Sequence, residues 1–180
     1  MHVIPAILIA LQTGANPAQE AAPSVPAPIQ APPPACESEA HAAFDFWVGE
    51  WDVLPSGSDQ KVADSRIERV FEGCAIREHW MPLQGFDGGS LTFIDHRTGR
   101  WEQTWIGGNG VRVDFAGGMA DGKMVLTGYW DELIGPEQDA MVRMTYSLLE
   151  DGSVRQFGEA SSDHGQTWQA SFDLIYRRKP

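Results

Sequence analysis

From Glu50 onward, apolar and polar residues alternate along the chain, and the alternation stops at glycine-containing turns every 10 to 15 residues or so. Trp101, Gln103 and Trp105 oppose Glu102, Thr104 and Ile106, and Met124, Leu126, Gly128 and Trp130 oppose Lys123, Val125, Thr127 and Tyr129. The same holds for Val142, Met144, Tyr146 and Leu148 against Met141, Arg143, Thr145 and Ser147. It holds again for Trp168, Phe172, Leu174 and Tyr176 against Gln169, Ser171 and Asp173. A period of two is that of a strand whose faces meet different surroundings, here an enclosed aromatic side and a wet polar side. Extended runs are expected at 50–54, 65–71, 75–81, 90–95, 100–106, 111–117, 123–130, 140–149, 154–160 and 167–177, after one helical turn near 42–49. Turns such as Asp87-Gly88-Gly89, Asp121-Gly122 and Asp163-His164-Gly165 separate them. No long amphipathic helix lies between the runs, which argues against βαβ units. The expectation is an all-β antiparallel meander of about ten strands closed into a barrel, because closure removes exposed edges. A two-sheet β-sandwich is the structural alternative.

The chain has 180 residues, enough for one ordinary domain. Residues 3–11 form an apolar run of about nine, well short of the roughly 20 needed to span a bilayer, and small-residue cleavage contexts follow it. This reads as a signal peptide over 1–18, although no Lys or Arg precedes the run. Residues 19–35 are rich in Ala and Pro, including Pro32-Pro33-Pro34, and lack aromatic side chains. Such a stretch is expected to be a disordered spacer, because it buries too little apolar surface to offset its ordering entropy. The folded domain is then 36–180, in an exported protein of the periplasm or the extracellular space, without stable membrane insertion. A net charge of -12 makes nucleic acid an unsuitable partner. The two cysteines, Cys36 and Cys74, would form a disulfide in an oxidising compartment. The rival role for Cys36, a lipid attachment site, lacks an apolar lipobox before it.

The segment Phe44-Asp45-Phe46-Trp47-Val48-Gly49-Glu50-Trp51-Asp52-Val53 is the most distinctive in the chain. With Gly73-Cys74, Glu78-x-Trp80, Trp101-x-Gln103-Thr104-Trp105, Arg143-x-Thr145-Tyr146 and the region 154–168, it resembles an uncharacterised family of mostly exported bacterial proteins with lipocalin-like (calycin) barrels. The resemblance covers most of the folded domain and brings no established activity. Gly49-Glu50-Trp51 is also similar to the Gly-x-Trp opening of lipocalins. There the Trp closes one barrel end beneath an Arg of the last strand, a place that Arg177 or Arg178 could fill here. The Thr-Asp-Tyr turn and C-terminal helix of lipocalins are absent. A haem-binding barrel of the nitrobindin type is a further comparison, but that family's glycine pattern does not continue after Trp51.

Ser161-x-Asp163-x-Gly165-x-Thr167-Trp168 matches the Asp box of sialidase propellers. That motif is a hairpin in which Asp and Ser bond turn backbone groups, Gly takes positive φ and the Trp packs inward. A propeller needs one box per blade and this chain has a single copy, so Ser161, Asp163, Gly165, Thr167 and Trp168 read as architecture and sialidase activity is excluded. Gly49 and Trp51 belong with them as structural residues.

No metal site or cofactor is expected. His41, His79, His96 and His164 lack ligand spacing, and neither a nucleophile elbow nor a phosphate loop occurs. What draws attention is polarity on the aromatic face. Alternation places Glu78 with Ile76 and Trp80, and Gln103 with Trp101 and Trp105, while turning His79 and Arg143 outward. With Trp130 and Tyr146 of the same face, Glu78, Trp80, Gln103 and Trp105 make a candidate ligand-binding set. Two readings stay open: a pocket for a small, partly apolar molecule, or an internal hydrogen-bond network that only fixes the fold. An enzyme using Glu78 as general acid/base, and a domain that docks other proteins, are the functional alternatives. Catalytic residues and oligomeric state are not legible in the sequence.

Overall fold

The computed structural model describes residues 36–180. The expected signal peptide and linker lie outside the described residues. Cys36 leads into a short helix, α1 (Glu39–Ala42), and a 3-10 turn (Asp45–Trp47), where a single helical turn over 42–49 was expected. Ten strands follow: β1 (Gly49–Pro55), β2 (Ala63–Val70), β3 (Ala75–Pro82), β4 (Gly88–Ile94), β5 (Trp101–Gly107), β6 (Arg112–Ala120), β7 (Lys123–Gly135), β8 (Gln138–Leu148), β9 (Val154–Ser161) and β10 (Gln169–Arg178). Turn chemistry ends them locally; between β4 and β5, for example, Asp95 Oδ1 accepts hydrogen bonds from the backbone N–H groups of Arg97 at 2.7 Å and Thr98 at 3.1 Å.

Each strand pairs antiparallel with its neighbours in sequence, and β10 returns to β1 in a register running from Trp51↔Arg178 to Pro55↔Leu174. The sheet is a closed barrel, which corrects the sandwich alternative. Closure gives every strand among the described residues a partner on both sides, although β7 runs on past Gly128, where its pairing with β6 ends. No helix among the described residues is long and apolar enough to cross a membrane.

The N-terminal segment plugs one barrel end. Phe44, Trp47 and Trp51 are fully buried, Phe44 stacks on Trp47 at 5.0 Å, and Trp51 Nε1 donates to the Trp47 carbonyl at 2.9 Å. Two ties hold the plug. Cys36 is disulfide-bonded to Cys74, in the turn after β2, and Arg69 of β2 grips both carboxylate oxygens of Asp45 at 2.6 and 2.7 Å. Arg178, at the end of β10, lies over the Trp51 ring and donates to the Val48 carbonyl. A Cβ at Gly49 would stand 2.5 Å from Arg178 Nη1 and push the guanidinium off its place over Trp51.

The Asp-box residues form the hairpin turn between β9 and β10. Ser161 Oγ donates to Asp163 Oδ1 at 2.7 Å, Asp163 accepts from the Thr167 backbone and hydroxyl at 2.8 and 2.7 Å, and Gly165 has φ +85. One detail differs from expectation. Trp168 does not share the inner face with Phe172 and Leu174; its ring lies under the Arg143 guanidinium, 4.2 Å away, on the outer wall. The cause is a bulge between Ala170 and Phe172, whose extra residue reverses which side the preceding residues face. Leu148, the last residue of β8, is likewise exposed beside its turn instead of completing the inner row.

Candidate functional site

Above the plug the barrel is not filled. A cavity of about 210 Å³ remains, and Glu78, Trp80, Gln103, Trp105, Trp130 and Tyr146 all line it. Period-2 geometry explains the convergence. Glu78 and Trp80 are two apart on β3, Gln103 and Trp105 two apart on β5, and the registers Glu78↔Ser90 and Ser90↔Trp105 bring both pairs to one wall through β4. Trp130 of β7 and Tyr146 of β8 come from the wall beyond β6. Exposure grades along the cavity: Glu78, Gln103 and Tyr146 are buried, whereas Trp80, Trp105 and Trp130 are half-buried. These three Trp residues lie toward the strand ends remote from Gly49, so the polar groups sit deep and the indoles stand toward the open end.

The structure adds residues that the sequence reading did not single out. Ser65 of β2 and Ser90 of β4 flank the acid, donating from Oγ to Glu78 Oε1 at 3.4 Å and to Oε2 at 3.0 Å. Gln103 Nε2 donates to Thr92 Oγ1 at 2.9 Å and to Ser90 Oγ at 3.3 Å. Facing them, Gln156 of β9 donates to the Tyr146 hydroxyl at 2.9 Å and accepts from the Tyr176 hydroxyl of β10 at 2.7 Å. Ser65, Ser90 and Gln156 each occupy an alternating inner position of their strands, so the pattern that revealed Glu78 contained them too. The cross-strand register that brings them to the acid is not a local property. Phe172 also lines the cavity, and its ring leans over Gly158, where a Cβ would collide with it.

Electrostatically the site is one acid in an aromatic shell. Burial pushes the Glu78 carboxyl up to about 7, and the bonds from Ser90 and Ser65 and the pull of the Tyr176 hydroxyl hold it back from rising further. Burial first, and the nearby Glu78 charge second, keep the Tyr146 and Tyr176 phenols well above their ordinary range, so both are neutral hydroxyls at physiological pH. His79 points away, 3.8 Å from Asp87, and Arg143 pairs on the outer wall with Glu159 at 2.9 Å. Such a site can exchange a proton near neutrality, accept hydrogen bonds deep in its floor, and enclose an apolar group between indoles. No group of three or more His, Cys, Asp or Glu that could hold a metal ion occurs among the described residues. No protein-family model matches the chain, and no curated protein sequence matches it either.

Proposed function

We propose that this protein binds a small, partly apolar molecule inside its barrel, and that it does so after export. The observation that carries this reading is the cavity itself: aromatic side chains from several strands surround a buried, titratable carboxyl, an apolar pocket with a few convergent polar groups. At about 210 Å³ it is smaller than the roughly 300 to 1,000 Å³ sites of drug-sized ligands, which suits a molecule of few atoms. Export is supported by the signal-like N-terminus, by the disulfide, and by the resemblance of residues 44–53 to an uncharacterised exported family.

Titration with benzyl alcohol, followed by Trp fluorescence and by ligand-observed NMR, tests the binding reading. Saturable binding that Trp105→Ala weakens tenfold or more is the expected result, and signals that never saturate overturn it. A second reading has one observation in its favour: a carboxyl titrating near 7 beside two neutral phenols is suited to general acid/base work on a bound substrate. Turnover of a bound molecule that Glu78→Gln abolishes while binding persists would favour that enzyme.

A further inference from the structure

We propose that the ligand is a small ammonium ion carrying one ring or short apolar chain, its nitrogen seated against the Glu78 carboxylate. This rests on the reading of the cavity as a binding site and names the class of molecule that fits it.

The charge inventory of the cavity leads there. Glu78 is the acid in the lining, and among the described residues no Lys, Arg or His accompanies it there. Its neighbours are neutral on every side: Ser65 from β2, Ser90 from β4, Gln103 from β5, Tyr146 from β8 and Tyr176 from β10. A carboxylate has about four acceptor positions, and the two serine hydroxyls use two of them. A buried carboxylate without a cation is expensive, so the fold leaves Glu78 sharing a proton with solvent near neutrality unless a positive charge arrives from outside.

The remaining walls favour the same sign. Indole and phenol rings attract cations through their quadrupoles and disfavour anions, and Trp80, Trp105, Trp130 and Tyr176 supply them. An ammonium group brings further N–H donors that need acceptors. Gln103 donates from its nitrogen to Thr92 and Ser90, which leaves its carbonyl oxygen to accept, and the Tyr146 oxygen stands on the facing wall. Size agrees as well, because an apolar cavity of about 150 Å³ holds benzene, and this one has space for a ring and a short aminoalkyl arm. The protein's net charge of -12 draws cations toward it and repels anions.

Protons balance simply. When Glu78 is protonated in the free protein, an arriving ammonium ion displaces that proton to solvent. Affinity for a permanently protonated amine therefore falls as pH drops below about 7, by up to tenfold per pH unit.

Calorimetric titrations of the disulfide-bonded protein with benzylamine, benzyl alcohol, acetophenone and phenylacetate test the proposal. At about pH 8 we expect benzylamine to bind at least tenfold tighter than the three others, and this preference to fade below pH 7 with proton release on binding. Glu78→Gln should reduce the benzylamine-to-benzyl alcohol ratio to near one. Where that variant fails to fold, the pH series on the unaltered protein decides the matter alone. Benzyl alcohol binding as tightly as benzylamine with no pH dependence overturns the amine and leaves the binding site intact. So does a preference for acetophenone or phenylacetate, which would mean a protonated Glu78 donating to an acceptor. If none of the four binds saturably, the cavity is not a site for molecules of this kind and both readings fail.

Discussion

The Arg178 guanidinium lies 4.4 Å from the centroid of the Trp51 ring, so the last strand of the barrel clamps the tryptophan that opens the first. The pairing Trp51↔Arg178 sets the two residues directly opposite each other across the strands that close the sheet. A cation over an indole at an exposed position contributes about 0.5 to 1 kcal/mol, and the bond from Arg178 to the Val48 carbonyl adds to the same clamp. Arg178→Ala should therefore lower stability by about 1 kcal/mol, measured by urea unfolding. Gly49→Ala should do at least as much harm, because the new Cβ displaces the guanidinium and the glycine backbone has φ +154. Equal stability of both variants and the parent would mean the clamp holds nothing.

Cys36 and Cys74 tie the plug to the turn after β2 across a separation of 38 residues. In the chain-entropy picture a loop of this length is worth roughly 4 kcal/mol, a large share of the stability of a domain this size. Reduction should bring the urea midpoint down steeply, and thiol titration of denatured, unreduced protein should find no free sulfhydryl. Detecting two would contradict the bridge and remove one support for export.

Asp163 binds the Ser161 hydroxyl and the Thr167 backbone and hydroxyl, and these bonds hold its carboxyl down to about 2. A depressed carboxyl stabilises the fold above its ordinary titration near 3.8 and loses that contribution as pH falls toward 2. Asp163→Ala should lower the melting temperature at neutral pH, and the difference from the parent should shrink in acid. Ligand binding in the barrel should not change, since the turn lies outside the cavity. Lost binding with an unchanged melting temperature would show that the Asp box is more than architecture.

Glu78 reverses that sign. It ionises near 4.5 in the unfolded chain and about 7 in the fold, so between those values the folded state keeps a proton that the unfolded state has released. Stability contributed by this group is therefore present at the acid end, declines as pH rises through the window and levels off above it, by a total on the order of 3 kcal/mol. Glu78→Gln cannot ionise and should lack this decline. Denaturant melts of both proteins at about pH 5 and pH 8 check it. A variant destabilised equally at both pH values would mean that folding does not raise the Glu78 titration into this window.

Much of the barrel was legible in advance, because a residue's face within an unbroken strand depends only on counting by two. Alternation placed Glu78 and Gln103 among the aromatic side chains, and the glycine-containing turns marked all ten strands. The same count from Tyr176 selects Arg178 over Arg177 as the partner of Trp51, a choice that motif comparison had left open. Local counting fails where the backbone itself changes period. The bulge after Ala170 carries Trp168 from the inner row to the outer wall, and nothing in the residues around it announces an extra position.

Other features depend on hydrogen bonds made sideways between strands distant in sequence. Closure through β1 and β10, the meeting of Ser65 and Ser90 on Glu78, and the facing chain of Tyr146, Gln156 and Tyr176 arise from register. The sequence by itself determined a two-faced meander with a carboxyl on its aromatic side. Only the tertiary structure decided that this side encloses a cavity whose lining, among the described residues, holds an acid and no cation, because empty space and missing countercharge are properties of many strands at once.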